Sequence, residues 1–168
     1  MMDTVLPIEI QKEKNMILNQ LDRYRDPGLL ILRIGIGLMF MIHGFPKLMG
    51  GPEAWTRLGG ATAAIGVDLA PTFMGFMAAF AEFGGGLLLA LGLLTRPACL
   101  LLCFTMIVAT MMHVQNGDGF NRYSHALEAS ILFFSLFLIG PGRLSLDGIW
   151  SNRNSPEVDP SYTTSADS

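Results

Sequence analysis

An apolar run long enough to span a membrane, Leu29–Lys47, holds an arginine, Arg33, and closes with His43-Gly44-Phe45-Pro46-Lys47. A charged side chain at the middle of a bilayer costs about 2.5–3.5 kcal/mol on insertion scales, so each needs a protein partner or water. The rest of the chain must therefore supply polar groups from inside a helical membrane domain.

Three further apolar runs follow, Phe73–Leu94, Pro97–Met112 and Ala126–Ile139. Because about 20 residues cross the ~30 Å hydrocarbon layer, a 168-residue chain that is 51% hydrophobic reads as one domain with four crossings. The last run is short, and its assignment as a crossing rests on the other three. No basic segment and cleavage site precede the first run, which is then expected to act as an uncleaved insertion signal. A net charge of -3 argues against a nucleic-acid partner.

With four spans, one side holds Lys12, Lys14, Arg23, Arg25, Arg96, Arg143 and Arg153, and the other only Lys47, Arg57 and Arg122. The excess of Lys and Arg on the cytoplasmic side of membrane proteins predicts both termini in the cytoplasm. The expected fold is all-α: a multi-pass four-helix bundle in the inner (plasma) membrane, N-in and C-in, with a short interfacial helix between spans 1 and 2.

Residues 1–27 are expected to form a cytoplasmic tail, either amphipathic through Ile17, Leu21 and Tyr24 or disordered; 28–150 form the transmembrane domain. Residues 151–168, rich in Ser, Asn, Pro and Thr, read as a disordered tail. Asp26-Pro27 suits a helix entry, Asp as cap and Pro in the first turn. Gly44 and Pro46 are expected to loosen or end the first helix. Trp55, Leu58, Thr62 and Ile65 recur at helical spacing between Pro52 and Ile65, which places the interfacial helix there. The second span is expected to start near Pro71 and stop before a tight turn at Thr95-Arg96-Pro97.

Each long run carries one small or polar seam. The seams are Arg33, Gly37, Phe40, Gly44, Lys47; Gly75, Ala79, Glu82, Gly86, Ala90; Cys99, Cys103, Met106, Thr110, His113; and His125, Glu128, Leu132, Ser135, Ile139. Steps of three and four put each set on one helix face, and small residues there let membrane helices approach closely. Cys99 and Cys103, four apart in an apolar run, read as packing residues.

The polar residues fall into two layers. Deep in the bundle, Arg33 and Glu82 are expected to form an ion pair that sets helix register, or else Glu82 carries protons. At the outer mouth, His43, Lys47, His113, His125 and Glu128 converge. His43, Lys47 and His113 are candidate ligand-binding donors, and His125, Glu128 and Glu82 candidate proton-transferring catalytic groups. No HxxxH or ExxH spacing supports a metal site, and none is expected.

These residues resemble the DoxX family of small bacterial and archaeal membrane proteins over about residues 28 to 150. The resemblance rests on Arg33, Gly37, His43-Gly44 and Lys47; Glu82, Gly85-Gly86 and Gly92-Leu93-Leu94-Thr95-Arg96; His113, His125 and Glu128; and Gly140-Pro141-Gly142 with Ser145-Leu146-Asp147. It implies a four-helix membrane protein of the kind described as an oxidoreductase or respiratory-type subunit. The family takes its name from a thiosulfate:quinone oxidoreductase subunit, and other members are associated with quinones and catechols.

The leading expectation is a quinone-linked redox subunit with no covalently bound cofactor. Its partners would be the lipid bilayer, a quinone or other small molecule, a redox partner subunit, and a second copy of the chain in a homo-oligomer. The rival expectation is a non-enzymatic membrane protein that binds a partner or small molecule, its charges serving folding and register.

Overall fold

A computed structural model describes residues 23–67 and 69–153. The readings of 1–22 as an amphipathic or disordered tail and of 154–168 as a disordered tail lie outside the described residues. The described residues are helical, with no strand: α1 (Arg25–Met49), α2 (Gly51–Gly59), a 3-10 helix (Gly60–Ile65), α3 (Pro71–Leu91), α4 (Thr95–Gln115), α5 (Phe120–Ile139) and α6 (Leu146–Arg153). Three of them, α1, α3 and α4, are long and apolar enough to cross a membrane. Helix α5 has 20 residues, but its first half carries Asn121, Arg122, His125 and Glu128. Those residues keep it out of that set, so composition alone does not make it the expected fourth crossing.

Helices α1 and α3 run antiparallel and almost touch, because glycine faces backbone at two levels. A Cβ placed on Gly37 would fall 2.6 Å from the Gly86 carbonyl oxygen, and one on Gly44 would fall 2.5 Å from the Phe83 nitrogen. This closeness explains Gly44, whose composition with Pro46 suggests a loosened or ended helix. The helix instead runs through Gly44 and Pro46 to Met49, although proline lacks a backbone donor there.

At the helix entry, Asp26 does not cap α1. It lies in the first turn, and its Oδ1 accepts from the Arg143 amide at 3.0 Å, tying the chain after α5 back to the start of α1. The expected turn at Thr95-Arg96-Pro97 sits one step earlier. Gly92, at φ +67, and Leu94, at φ +47, reverse the chain, and Thr95–Pro97 form the first turn of α4, where a missing proline N–H costs nothing.

The reversal is closed from a distance. Asp147, on α6, accepts the Leu94 and Thr95 amides on its two carboxylate oxygens at 2.9 and 2.8 Å, while its own amide donates to the Gly92 carbonyl at 2.9 Å. An acceptor on these orphan amides, with negative charge at a helix N-terminus, is the usual capping arrangement; here it comes from another helix.

The buried stripes of α1, α3 and α4 follow the expected seams, with Arg33, Gly37 and Gly44, then Gly75, Ala79, Glu82 and Gly86, then Cys99, Cys103 and Met106 all buried. Helix α5 departs from its expected seam. Its buried residues are Ser124, Ser130, Phe133 and Leu136, whereas Glu128, Ser135 and Ile139 are exposed. Aromatic packing decides this face: Phe133 meets Phe40 edge to face with centroids 4.8 Å apart. The Cys103 thiol donates to the Ser130 carbonyl at 3.4 Å, fastening α5 to α4.

The packed core is concentrated toward the end of the molecule that carries the α3–α4 turn, the start of α1 and helix α6, here the tail end. Leu29, Leu89, Cys99, Leu102, Phe133 and Leu136 fill it. The opposite end, here the far end, is hollow.

Candidate functional site

The hollow is a cavity of about 520 Å³ walled by all four long helices and roofed by α2 and the 3-10 helix. Its size lies within the range of small-molecule pockets. The roof is held close to α3 by a second glycine contact: the Gly59 and Gly75 backbones face each other with no room for a Cβ on either. Gln115 anchors the 3-10 helix by donating to the Ala64 carbonyl at 2.8 Å. The walls are mainly apolar, among them Phe40, Met77, Ala81, Phe104 and Met106; the polar lining includes His43, Lys47, Glu82, His113, Arg122 and His125.

One ion pair organises the polar side. Lys47 Nζ donates to Glu82 Oε1 and Oε2 at 2.7 and 2.6 Å. The Glu82 side chain is 4% exposed and that of Lys47 is 41% exposed, so the carboxylate is sealed while the lysine side chain stays partly open, and both residues line the cavity. An ammonium has three N–H donors. The third has no acceptor among the described residues.

This pairing corrects the expected Arg33–Glu82 ion pair. The register set by Gly37 and Gly44 puts Arg33 near Gly92 and Gly44 beside Glu82. Side chains on a helix lean toward its N-terminus, so in antiparallel α1 and α3 the Lys47 and Glu82 chains lean toward each other. Arg33, on the same helix as Lys47, also leans toward the start of α1, and so away from Glu82. It is buried at the tail end, donating from Nη2 to the Leu144 carbonyl at 2.6 Å, and Asp147 is the carboxylate whose charge acts on it. Its Nε and Nη1 have no partner among the described residues.

Of the predicted site residues, His43, Lys47, Glu82, His113 and His125 all line the cavity. Glu128 does not: it is exposed on α5, on the face turned away by the packing of Phe133 and Leu136. Among the described residues no three of His, Cys, Asp and Glu converge so as to hold a metal ion.

Three residues outside the expected set enter the site. Asp118, in the turn after α4, bonds His113 Nδ1 through Oδ2 at 2.7 Å, and Arg122 Nη1 stands 3.5 Å from Asp118 Oδ1. The hydrogen bond from His113, followed by the charge of Arg122, holds the Asp118 carboxyl below the usual carboxylate range. An acid five residues after a histidine and four before an arginine was the available signal, masked because Asn116-Gly117-Asp118-Gly119 reads as a turn. The third is Trp55, whose Nε1 donates to the Lys47 carbonyl at 3.0 Å and whose ring meets Phe76 at 5.0 Å, bracing α2 against the ion pair.

Comparison with known proteins gives three kinds of result. The sequence profile of the DoxX family matches residues 28–115. Inner membrane protein YqjF of Escherichia coli (strain K12) is 31% identical over 136 residues, covering 78% of this chain and 98% of that protein. Inner membrane protein YphA of the same strain is 35% identical over 139 residues, covering 74% and 96%. A Bacillus subtilis (strain 168) protein named "Putative oxidoreductase CatD" is 34% identical over 82 residues, covering 49% of this chain and 56% of that one. No solved structure matches significantly.

Proposed function

The chain belongs to the DoxX family of membrane proteins, and on that footing we propose that it is a quinone-linked redox subunit of the inner membrane whose far-end cavity holds the quinone headgroup. The observation that carries this reading is the Lys47 ammonium, paired with a buried carboxylate and lining a mainly apolar cavity. A quinone is a flat apolar ring with carbonyl oxygens. The third N–H of the Lys47 ammonium donates to one of them, and as electrons arrive the same charge stabilises the developing oxyanion. Glu82 holds the ammonium in place, and His43, His113 and His125 exchange protons with the reduced oxygens. Electrons come from a redox partner subunit or a bound donor. The oxidoreductase name of the partial Bacillus relative supports the same reaction class.

In this reading α5 is the fourth crossing and both tails lie in the cytoplasm. Arg25, Arg96 and Arg143 belong to the tail end, against Lys47, Arg57 and Arg122 at the far end, the asymmetry expected of that orientation. The polar half of α5 then stands at the outer interface, and α2 lies along it.

Decylubiquinone binding tests the reading, followed by quenching of Trp55 in a Trp150→Phe background. The expected result is saturable quenching that Lys47→Met weakens at least about tenfold, the loss of one charge-assisted hydrogen bond, and that Glu128→Gln leaves unchanged. Equal affinity in wild type and Lys47→Met would overturn the assignment of Lys47.

A further inference from the structure

We infer that His113 and Asp118 form a carboxylate–imidazole dyad that passes a proton from the aqueous phase at the far end to an oxygen of the reduced quinone in the cavity. The inference rests on the cavity being a quinone site and adds a proton route to it.

His113 is the last-turn histidine of α4, and it lines the cavity while its side chain keeps 27% of its surface open. Its ring is oriented. An ionised carboxylate only accepts hydrogen bonds, so Nδ1, 2.7 Å from Asp118 Oδ2, carries the proton. Nε2 of the neutral ring is then a bare acceptor, and it has no partner among the described residues. Arg122 lies behind the carboxylate on its other oxygen at 3.5 Å, offsetting its charge. A staple for the end of α4 would not need an acid here, because the Asp118 amide already bonds the His113 carbonyl at 3.0 Å.

The step moves one proton and no electrons: the imidazolium Nε2–H breaks as the quinol O–H forms on the reduced oxygen, and the neutral ring beside Asp118 takes its next proton from water. Other charged or titratable groups face the same cavity: His43 and Lys47 from α1, Glu82 from α3, Arg122 and His125 from α5. Lys47 and Glu82 are committed to each other. The His43 and His125 side chains make no hydrogen bond among the described residues, so they are the competing groups.

The test is decylubiquinol and decylubiquinone affinity between about pH 5 and 8, where histidine is the side chain that ordinarily titrates. Quinol binding to wild type should weaken as pH falls, approaching tenfold per unit once the acceptor is protonated, while quinone binding should not. His113→Gln should flatten the profile. Asp118→Asn, which removes the carboxylate that keeps the ring proton on Nδ1, should weaken quinol binding and leave quinone binding unchanged. The profile surviving in His113→Gln, or vanishing only in His43→Gln or His125→Gln, would overturn the inference. If neither probe binds wild type at any pH, the quinone reading falls with it. Should a variant fail to fold, nitrogen NMR of the unsubstituted protein decides: a proton on Nδ1 and none on Nε2 supports the dyad, and the reverse tautomer overturns it.

Discussion

Lys47 sets its ammonium against both carboxylate oxygens of Glu82, a side chain almost sealed from solvent on the neighbouring antiparallel helix. Removing one member of a buried pair strands the other charge and costs ~3–5 kcal/mol. Lys47 is partly open, so Lys47→Met is expected at the low end of that range. Glu82→Gln should cost less, since the ammonium can turn to water. The double variant should recover much of the loss, giving a coupling energy in a double-mutant cycle of thermal melts in detergent. Additive losses would mean the two side chains do not act as a pair.

Glycine at Gly44 has a different role from glycine at Gly35, although both lie in α1. A methyl at Gly44 would meet the Phe83 backbone, whereas at Gly35 nothing stands within 4 Å. Gly44→Ala should force α1 and α3 apart and cost about 1–3 kcal/mol, as overpacking does. Gly35→Ala should be neutral or stabilise by up to about 1 kcal/mol. The same melting experiment separates them, and equal effects would remove the close helix contact from the account.

The lengths of the apolar runs and the small-residue seams made α1, α3 and α4 legible from sequence, because helical period and span length are local properties. Register between helices is not local. Arg33 and Glu82 looked like partners when matched by depth alone, and only the glycine contacts at Gly37 and Gly44 show that α3 presents Glu82 to Lys47 instead. The face of α5 was ambiguous for a similar reason: Phe133 and Phe134 are adjacent, and the partner ring of Phe40 chooses between them. Glu128 left the cavity with that choice. Asp118 was hidden because a turn composition explains its neighbours without asking what its side chain touches.

The cap that Asp147 lends to α4 is a tertiary contact performing a local task. Asp147→Ala should cost ~0.5–2 kcal/mol, the usual loss for a cap, and Asp147→Asn less, since one acceptor oxygen remains. Hydrogen exchange at the Leu94 and Thr95 amides reports the effect directly, with faster exchange expected in both variants. Unchanged exchange in Asp147→Ala would show that those amides are protected by something else.

Stability at acid pH should carry the signature of Asp118. Its carboxyl is held below the usual range, chiefly by the hydrogen bond with His113, so the folded protein binds this proton less readily than the unfolded chain. A group depressed on folding contributes stability above its unfolded value and loses that contribution as pH falls through the folded one. Wild type should therefore lose stability through and below the ordinary carboxylate range, near pH 4, with Asp118 contributing part of the slope. Asp118→Asn has no proton to gain there, so its melting temperature should fall less steeply over the same interval. His113→Gln removes the first cause of the depression and should also flatten the slope. Parallel curves for wild type and Asp118→Asn would place the acid sensitivity in other carboxylates.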